Sequence, residues 1–466
     1  MSIKRFCLLG RSEMWDNLLI QLGIPYDNFD TPNQITGKTK YSALIFIDII
    51  SNEKLQILRK HYGNKVLFIF TSVWGSLKKK LKSDDKLVWS GEEYRFGFQT
   101  EIYESEFGVE RTRYFFPIKL SALNVGASQR RQFYYSRQEL PSERVSVINY
   151  HEITRFVRNF FVDAFKKSGK ELLGYGNLPD EKPLFIFRVD TDFAEKGEIK
   201  ALYEICKKYG ISATWFVDVH DNEILEYYKT MHDQEISLHC DRHYVYPDTA
   251  NNLDNIQEGL NKLLDHKISP AGFAAPFGDW NQALEEVLFD LNFAYSSEFS
   301  FAWNSLPVMR KQGKKRLLQT PIHPISPGRL RRSHFSQEEM LDYYLKVIEN
   351  NRKSNIPAII YHHPAHGMLD LIEEIFKYVK ANNINNLTMH SYASWWLKRC
   401  DVLELDGDDE LYEISQLENE ICEYPEDYAR IFKKSWRWYL YEYEANKGRR
   451  YFKKYGYPAK ILARLK

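Results

Sequence analysis

Short apolar runs separated by helix-length segments give the chain its basic pattern. The N-terminal apolar runs lie at 3–9, 43–50 and 66–70. Helix-length segments lie between them at 14–22 and 52–62. Continuous apolar runs with helices between them are typical of parallel strands buried on both faces. The pattern predicts a small α/β parallel-sheet domain over residues 1–150. Its first turn has neither G-x-G-x-x-G nor a P-loop, which favours a structural or partner-docking role over nucleotide binding.

A second region of the same alternation begins after a helix and a group of chain breakers. A helical pattern at 151–165 leads into Gly169, Gly174, Gly176 and Pro179, which predicts a helix and linker over residues 151–182. The following apolar runs lie at 184–189, 213–217, 235–238, 271–275, 293–296, 317–320 and 358–361. This β/α alternation predicts a distorted (β/α)7-type barrel over residues 183–400.

The C-terminal part, residues 401–466, is predicted to be a charged, aromatic-rich helical extension. Residues 401–427 hold twelve Asp or Glu and no Lys or Arg, whereas 430–466 hold twelve Lys or Arg and two Glu. One interpretation is a basic aromatic helix in peripheral contact with an anionic membrane surface. The other, which we favour, is that the acidic and basic halves pack together or stay solvated.

Composition narrows the classes of function. The 466 residues carry a net charge of +1, so no global charge supports nucleic-acid binding. Five scattered cysteines without C-x-x-C spacing predict neither a disulfide framework nor a thiolate zinc site. No secretory signal is recognisable and no run approaches the ~18 apolar residues of a spanning helix, so a cytoplasmic location is expected. The sequence does not indicate an oligomeric state.

Residues able to bind a metal or move a proton follow several predicted barrel strands. Side chains alternate along a strand, so Arg188, Asp190 and Asp192 are expected on one face. His239 and His243 follow another strand, and a helical turn there would place both imidazoles within reach of one ion. Active sites of β/α barrels lie at the carboxyl ends of the strands. With Asp192 on the neighbouring strand, the pattern predicts a two-histidine, one-carboxylate site that suits zinc and leaves a position open for water.

Two further strand ends carry candidate chemistry. His362, His363 and His366 follow the last apolar run, where one of them is a plausible proton donor. The segment 272–280 ends a strand in a Pro and Gly turn. Its backbone N–H groups could hold an oxyanion, and Trp280 could stack on a sugar ring.

In the order and spacing of these motifs, residues 183–397 resemble the polysaccharide deacetylases of the NodB-homology type, carbohydrate esterase family four. The resemblance implies that Asp192, His239 and His243 hold a divalent metal, Zn²⁺ first and Co²⁺ or Fe²⁺ as alternatives. It further implies Asp190 as general base, His363 as general acid and the Phe277 N–H as oxyanion donor.

The sequence departs from the family pattern at three places. Thr191 separates the two aspartates, as in the D-x-D branch that includes a deformylase of lipid-linked aminosugars. Ala274 stands where the third motif usually has an Arg that orients the base, a role for which Arg188 is the candidate substitute. The fourth motif is not recognisable, and the segment 321–324, with His323, is the candidate for that part of the rim.

The implied function is removal of an N-acetyl or other N-acyl group from an aminosugar in a polysaccharide or lipid-linked precursor. Two alternatives stay open. A carbohydrate-binding module without turnover is favoured by Ala274 in place of Arg. A deformylase or cyclic amidase would keep the enzyme and change the acyl group.

Overall fold

The computed structural model describes residues 5–35, 40–48, 50–72, 76–82, 85–103, 112–120, 123, 125–135, 138–219, 222–405 and 411–416. The basic aromatic segment 430–466, for which membrane contact was an open alternative, lies outside these residues. Within the part of the chain that is described, no helix is both long enough and apolar enough to cross a bilayer.

The strands are, in chain order, β1 Arg5–Leu9, β2 Tyr26–Phe29, β3 Tyr41–Phe46, β4 Leu67–Phe70, β5 Leu77–Leu81, β6 Leu87–Trp89, β7 Glu92–Tyr94, β8 Thr100–Tyr103, β9 Arg113–Phe115, β10 Ser128–Arg131, β11 Tyr134–Tyr135, β12 Gln138–Glu139, β13 Glu143–Ser146, β14 Leu173–Gly174, β15 Leu184–Asp190, β16 Thr214–Asp218, β17 Glu235–Cys240, β18 Gly272–Phe273, β19 Tyr295–Ser296, β20 Val308–Gln312, β21 Lys315–Gln319, β22 Ala358–His362, β23 Asn385–Asn386 and β24 Tyr412–Glu413. The α-helices are α1 Glu13–Leu22, α2 Asn52–Tyr62, α3 Tyr150–Lys167, α4 Lys196–Tyr209, α5 Asn222–Tyr228, α6 Thr249–Asp265, α7 Gln282–Asp290, α8 Pro327–Arg332, α9 Gln337–Lys353, α10 Leu369–Ala381 and α11 Met389–Leu405.

The described residues fall into two compact units. The first is drawn from Met1–Val125, Ile148–Glu181 and Trp396–Glu420, and the second from Gly126–Val147 and Lys182–Trp395. The domain boundaries placed by sequence at 150, 182 and 400 stay predictions.

The first unit contains a five-stranded parallel sheet in the order β2-β1-β3-β4-β9. All residues of β1, β3 and β4 are buried, as expected for strands covered on both faces. On one face Leu55 and Leu58 of α2 join the core, and on the other Phe161 of α3 packs edge-on against Phe6. The predicted α/β class and parallel sheet are confirmed, whereas β2 and β9 were not predicted.

The second unit is built on a nine-stranded sheet. Its order is β20-β21-β19-β18-β17-β16-β15-β22, with β23 paired to β15. All seven predicted strands are present, and each pairs in parallel with its neighbours in the series from β21 to β22. The antiparallel strand β20 and the short β23 were not predicted.

The two ends of the parallel series approach each other beyond the named strands. The backbone N–H of His323, shortly after β21, donates to the carbonyl of Ile359 in β22 at 2.9 Å. On the inner side, a Cβ at Gly272 would lie 2.0 Å from the ring of Tyr295, so only glycine allows β18 to pass that ring. The sheet therefore curves round, and the carboxyl ends of β15, β17 and β22 converge.

Candidate functional site

A buried ion pair stands at the end of β15. Arg188 Nε and Nη2 donate to the two carboxylate oxygens of Asp190 at 2.6 and 2.7 Å. Arg188 Nη1 also donates to the backbone carbonyl of Ser297, and the guanidinium lies 4.9 Å from the ring centre of Phe216. Burial alone would raise the pKa of Asp190, but Arg188 outweighs it and brings the pKa down to about 2. The Asp190 carboxylate is thus held ionised and in a fixed orientation.

Asp192, two residues further, faces two imidazoles. Asp192 Oδ1 lies 3.7 Å from His239 Nε2, and Asp192 Oδ2 lies 3.6 Å from His243 Nε2. One potential ligand atom from each of the three side chains lies within 4.8 Å of the other two, and all three residues are buried. Ligands about 2.0–2.2 Å from a tetrahedral zinc ion stand roughly 3.4 Å apart, so these spacings are close to those of a shared ion.

The protonation state of the two histidines also fits a metal. His239 Nδ1 donates to the Ala274 carbonyl at 2.8 Å, which leaves the Nε2 lone pair directed at Asp192. Burial lowers the pKa of His239 and of His243 to about 4, so both imidazoles are neutral at neutral pH. Asp192 Oδ1 is buried and accepts no hydrogen bond from the described residues. Neutral imidazole is the form of histidine that binds divalent metals.

The path that brings His239 and His243 together differs from the predicted helical turn, which is wrong. Residues 241–243 form a bend, and positive φ angles at Cys240 (107°) and His243 (44°) turn the chain. The two imidazole centres lie 5.1 Å apart. Asn255 of α6 holds this bend, because its side chain accepts from the Arg242 N–H at 2.7 Å and donates to the Tyr244 carbonyl at 3.0 Å.

The placement of Asp192 and His239 on neighbouring strands is also wrong. β16 lies between β15 and β17, and pairs with both. Curvature of the sheet brings the ends of these alternate strands together, as in barrels where one layer of side chains comes from alternate strands.

The histidines at the end of β22 divide between the two faces of the sheet. His363 Nε2 lies 3.4 Å from Asp192 Oδ1, which places this imidazole beside the cluster. His362 instead stacks on Phe187, whose ring packs edge-on against Phe376 of α10. Burial lowers the pKa of His362 to about 3. The structure does not bring His362 to the cluster, because adjacent residues of a strand point to opposite faces.

The remaining predicted residues have different surroundings. Phe277 is 45% exposed with φ of 62°, and its ring centre lies 4.9 Å from that of His243, at the rim of the site. Trp280 is half-buried and packs against Phe301 at 5.0 Å between ring centres. His323 is buried with its ring nitrogens 3.1 Å from Asn304 Oδ1 and 2.8 Å from the Tyr343 hydroxyl, so both are engaged within the protein.

Sequence reasoning missed the buried carboxyl group of Glu298. Burial raises its pKa to about 7, against the opposing effect of Arg188, and its Oε1 accepts from the Ala275 N–H at 3.1 Å. The signal that pointed to Asp192, an acidic residue just after a buried strand, was also present here, since Glu298 follows β19.

Fold and site together define a curved parallel α/β domain that carries a buried two-histidine, one-aspartate cluster beside an arginine-held carboxylate. No protein-family model matches the chain, and no curated protein matches its sequence.

Several solved structures are similar to this chain. The peptidoglycan deacetylase PdaC from Bacillus subtilis is 15% identical, with a TM-score of 0.33 over 48% of this chain and 96% of that one. A family 4 acetyl xylan esterase from Clostridium thermocellum, solved with a cobalt ion, is 12% identical, with a TM-score of 0.32 over 46% and 91%. A CE4 family pseudoenzyme from Bacillus anthracis is 11% identical, with a TM-score of 0.35 over 57% and 89%.

Proposed function

We propose that this protein is a metal-dependent hydrolase that removes an N-acyl group, most simply N-acetyl, from an aminosugar of a polysaccharide or lipid-linked saccharide. The observation that supports it is the convergence of Asp192, His239 and His243 next to a second carboxylate, Asp190, that is not part of the cluster. A hydrolase of this kind needs both a ligand set with an open position and a separate base.

In this proposal Asp192, His239 and His243 hold the ion, Zn²⁺ in the first place and Co²⁺ or Fe²⁺ as alternatives. When bound, such an ion supplies Lewis acidity and can lower the pKa of water from 15.7 to about 7. Asp190 accepts the proton of the attacking water, and Arg188 fixes the orientation of its carboxylate through two hydrogen bonds. This buried guanidinium takes the orienting role that Ala274 cannot fill.

Release of the amine needs a proton, because an unprotonated amine is a poor leaving group. We propose that His363 gives it; in support, its imidazole lies beside Asp192 and is partly exposed. The Phe277 backbone N–H, at the same rim, is the proposed donor to the oxyanion. Trp280 and the half-exposed Phe277 ring offer apolar surface on which a sugar ring can stack.

One observation favours the second candidate, a carbohydrate-binding module without turnover. A carboxylate whose pKa is about 2 is a weak base, and Arg188 holds Asp190 in that state. A metal assay combined with acetate release from a panel of N-acetylated saccharides separates the two candidates. Stoichiometric metal with no acetate released from any saccharide would favour the binding module.

The test of the catalytic proposal compares three aspartate variants of the full chain. We expect Asp192→Ala to lose bound metal, and Asp190→Asn to keep metal and lose roughly 10²- to 10⁴-fold in turnover. Asp241→Asn is the matched control, because Asp241 lies close to the cluster but pairs with Lys262 at 2.6 Å. Full activity in Asp190→Asn would contradict the assignment of the base.

A further inference from the structure

Two exposed arginines stand at the end of α8, on the side of the site that carries His363. Arg332 Nη2 lies 3.2 Å from His366 Nε2, and Arg331 Nη1 donates to the His366 backbone carbonyl at 2.7 Å. The His366 and His363 ring centres are 4.8 Å apart, and His363 in turn reaches Asp192. A short series of contacts therefore links the arginine pair to the proposed metal cluster.

The position of this pair is fixed by close packing. A Cβ at Gly328 would lie 2.2 Å from His366 Nδ1, so the imidazole rests directly on the backbone of α8. At the start of the helix, Ser326 accepts from the Arg329 N–H, and the Arg329 guanidinium pairs with Glu143. The arginines are thus presented from an anchored helix and not from a free loop.

The charge of the pair is not neutralised by the described residues. Neither Arg331 nor Arg332 has an ion pair with any carboxylate in the described part of the chain, whereas Arg329 is paired with Glu143. Burial, together with the nearby cationic groups, lowers the pKa of His366 to about 2, so this imidazole is neutral and accepts from Arg332. Two guanidinium groups with spare N–H donors therefore face solvent beside the site.

We propose that Arg331 and Arg332 form a subsite for an oxyanion, a phosphate or a carboxylate, that is carried by the saccharide substrate. Guanidinium groups bind such anions through paired, charge-assisted hydrogen bonds. One nitrogen of each guanidinium contacts His366, and the other two remain for the ligand. This inference rests on the proposed function for its statement that the ligand is an acylated aminosugar.

The test measures dissociation constants by calorimetry on the metal-loaded full chain at low salt. The neutral probe is methyl N-acetylglucosaminide. The two anionic probes are N-acetylglucosamine 1-phosphate, which carries a phosphate, and N-acetylmuramic acid, which carries a carboxylate. We expect at least one anionic sugar to bind about tenfold or more tightly than the neutral one. Which of the two anionic sugars binds more tightly than the neutral sugar shows whether the subsite prefers a phosphate or a carboxylate.

Variants assign that preference to the arginines. Arg331→Gln and Arg332→Gln should each remove most of it, whereas Lys314→Gln should leave it unchanged. Lys314 is exposed in the turn before β21, at the opposite end of the strands, and its substitution changes the net charge equally. His239→Ala, which is expected to lose metal, should retain the preference, and this outcome excludes binding of the anion to the metal.

Equal dissociation constants for neutral and anionic sugars, or no binding of either anionic sugar, would overturn the proposal. A preference that survives in the Arg331→Gln, Arg332→Gln double variant would overturn it as well, as would equally tight binding of inorganic phosphate alone. A preserved preference with no acyl release from any saccharide would instead contradict the proposed hydrolase and leave the subsite in place.

Discussion

At the scale of single residues, the buried pair of Arg188 and Asp190 stabilises the folded protein and also orients the proposed base, Asp190. Both side chains are almost fully buried, and the guanidinium makes two hydrogen bonds to the carboxylate. Removing one partner of a buried pair leaves an uncompensated charge.

We therefore expect Arg188→Met to lower the free energy of unfolding by about 3–5 kcal/mol. Arg352→Met is the control, because Arg352 and Glu349 form an exposed pair and its loss should cost about 0.5 kcal/mol or less. Chemical denaturation of both variants checks this. Similar losses in the two would show that Arg188 is not a buried partner of Asp190.

Glu298 gives a prediction about pH. Its folded-state pKa of about 7 lies above the ordinary value of 4.5. Because burial disfavours the ionised carboxylate in the folded protein, the free energy of unfolding falls as pH rises from about 4.5 to 7. Above pH 7 this loss stays constant. At about 1.4 kcal/mol per unit the full cost is about 3 kcal/mol.

The isosteric variant Glu298→Gln cannot ionise and should escape this cost. We expect the free energy of unfolding of Glu298→Gln, relative to that of the unsubstituted protein, to rise by up to about 3 kcal/mol between pH 5 and pH 7.5. Urea unfolding at the two pH values measures the difference. A difference that does not change with pH would show that Glu298 titrates normally.

At the scale of elements, the sequence was sufficient for the buried parallel strands of the second unit and insufficient for its turns and for the antiparallel and short strands. All seven barrel strands were predicted because each is a buried apolar run, and Asp190, Asp192 and His239 were found because they end such runs. The bend at His243 was predicted as helix, since left-handed φ at Cys240 and His243 has no signal in residue type.

Helix α6 positions His243, because its residue Asn255 holds the bend at residues 241–243. Asn255 is buried and bonds the backbone on both sides of His243. We expect Asn255→Ala to weaken metal affinity roughly 10- to 100-fold, as loss of an outer-shell partner does. Competition with a chromogenic chelator measures this affinity.

Asn261→Ala is the control for this variant. Asn261 is on the same helix but is exposed, and its side chain accepts a hydrogen bond from Gln257. If both substitutions leave metal affinity unchanged, α6 has no part in placing His243.

At the scale of the whole molecule, local sequence signals predicted the classes of structure better than the associations between distant elements. The alternation of apolar runs predicted an α/β chain with parallel sheets, which is confirmed. The interposition of β16 between the strands that carry Asp192 and His239 was missed, because strand order depends on contacts between segments far apart in sequence. For the same reason Glu298, which follows β19 and interacts electrostatically with Arg188, was not associated with the site.

Crystals of the full chain, measured by anomalous diffraction at the zinc absorption edge, test the central claim most directly. We predict one anomalous peak about 2.0–2.2 Å from a carboxylate oxygen of Asp192 and from Nε2 of His239 and His243, with Asp190 outside the first coordination shell. A zinc-saturated crystal with no peak among these three residues, or with the peak bound by Asp190 instead, would contradict the account.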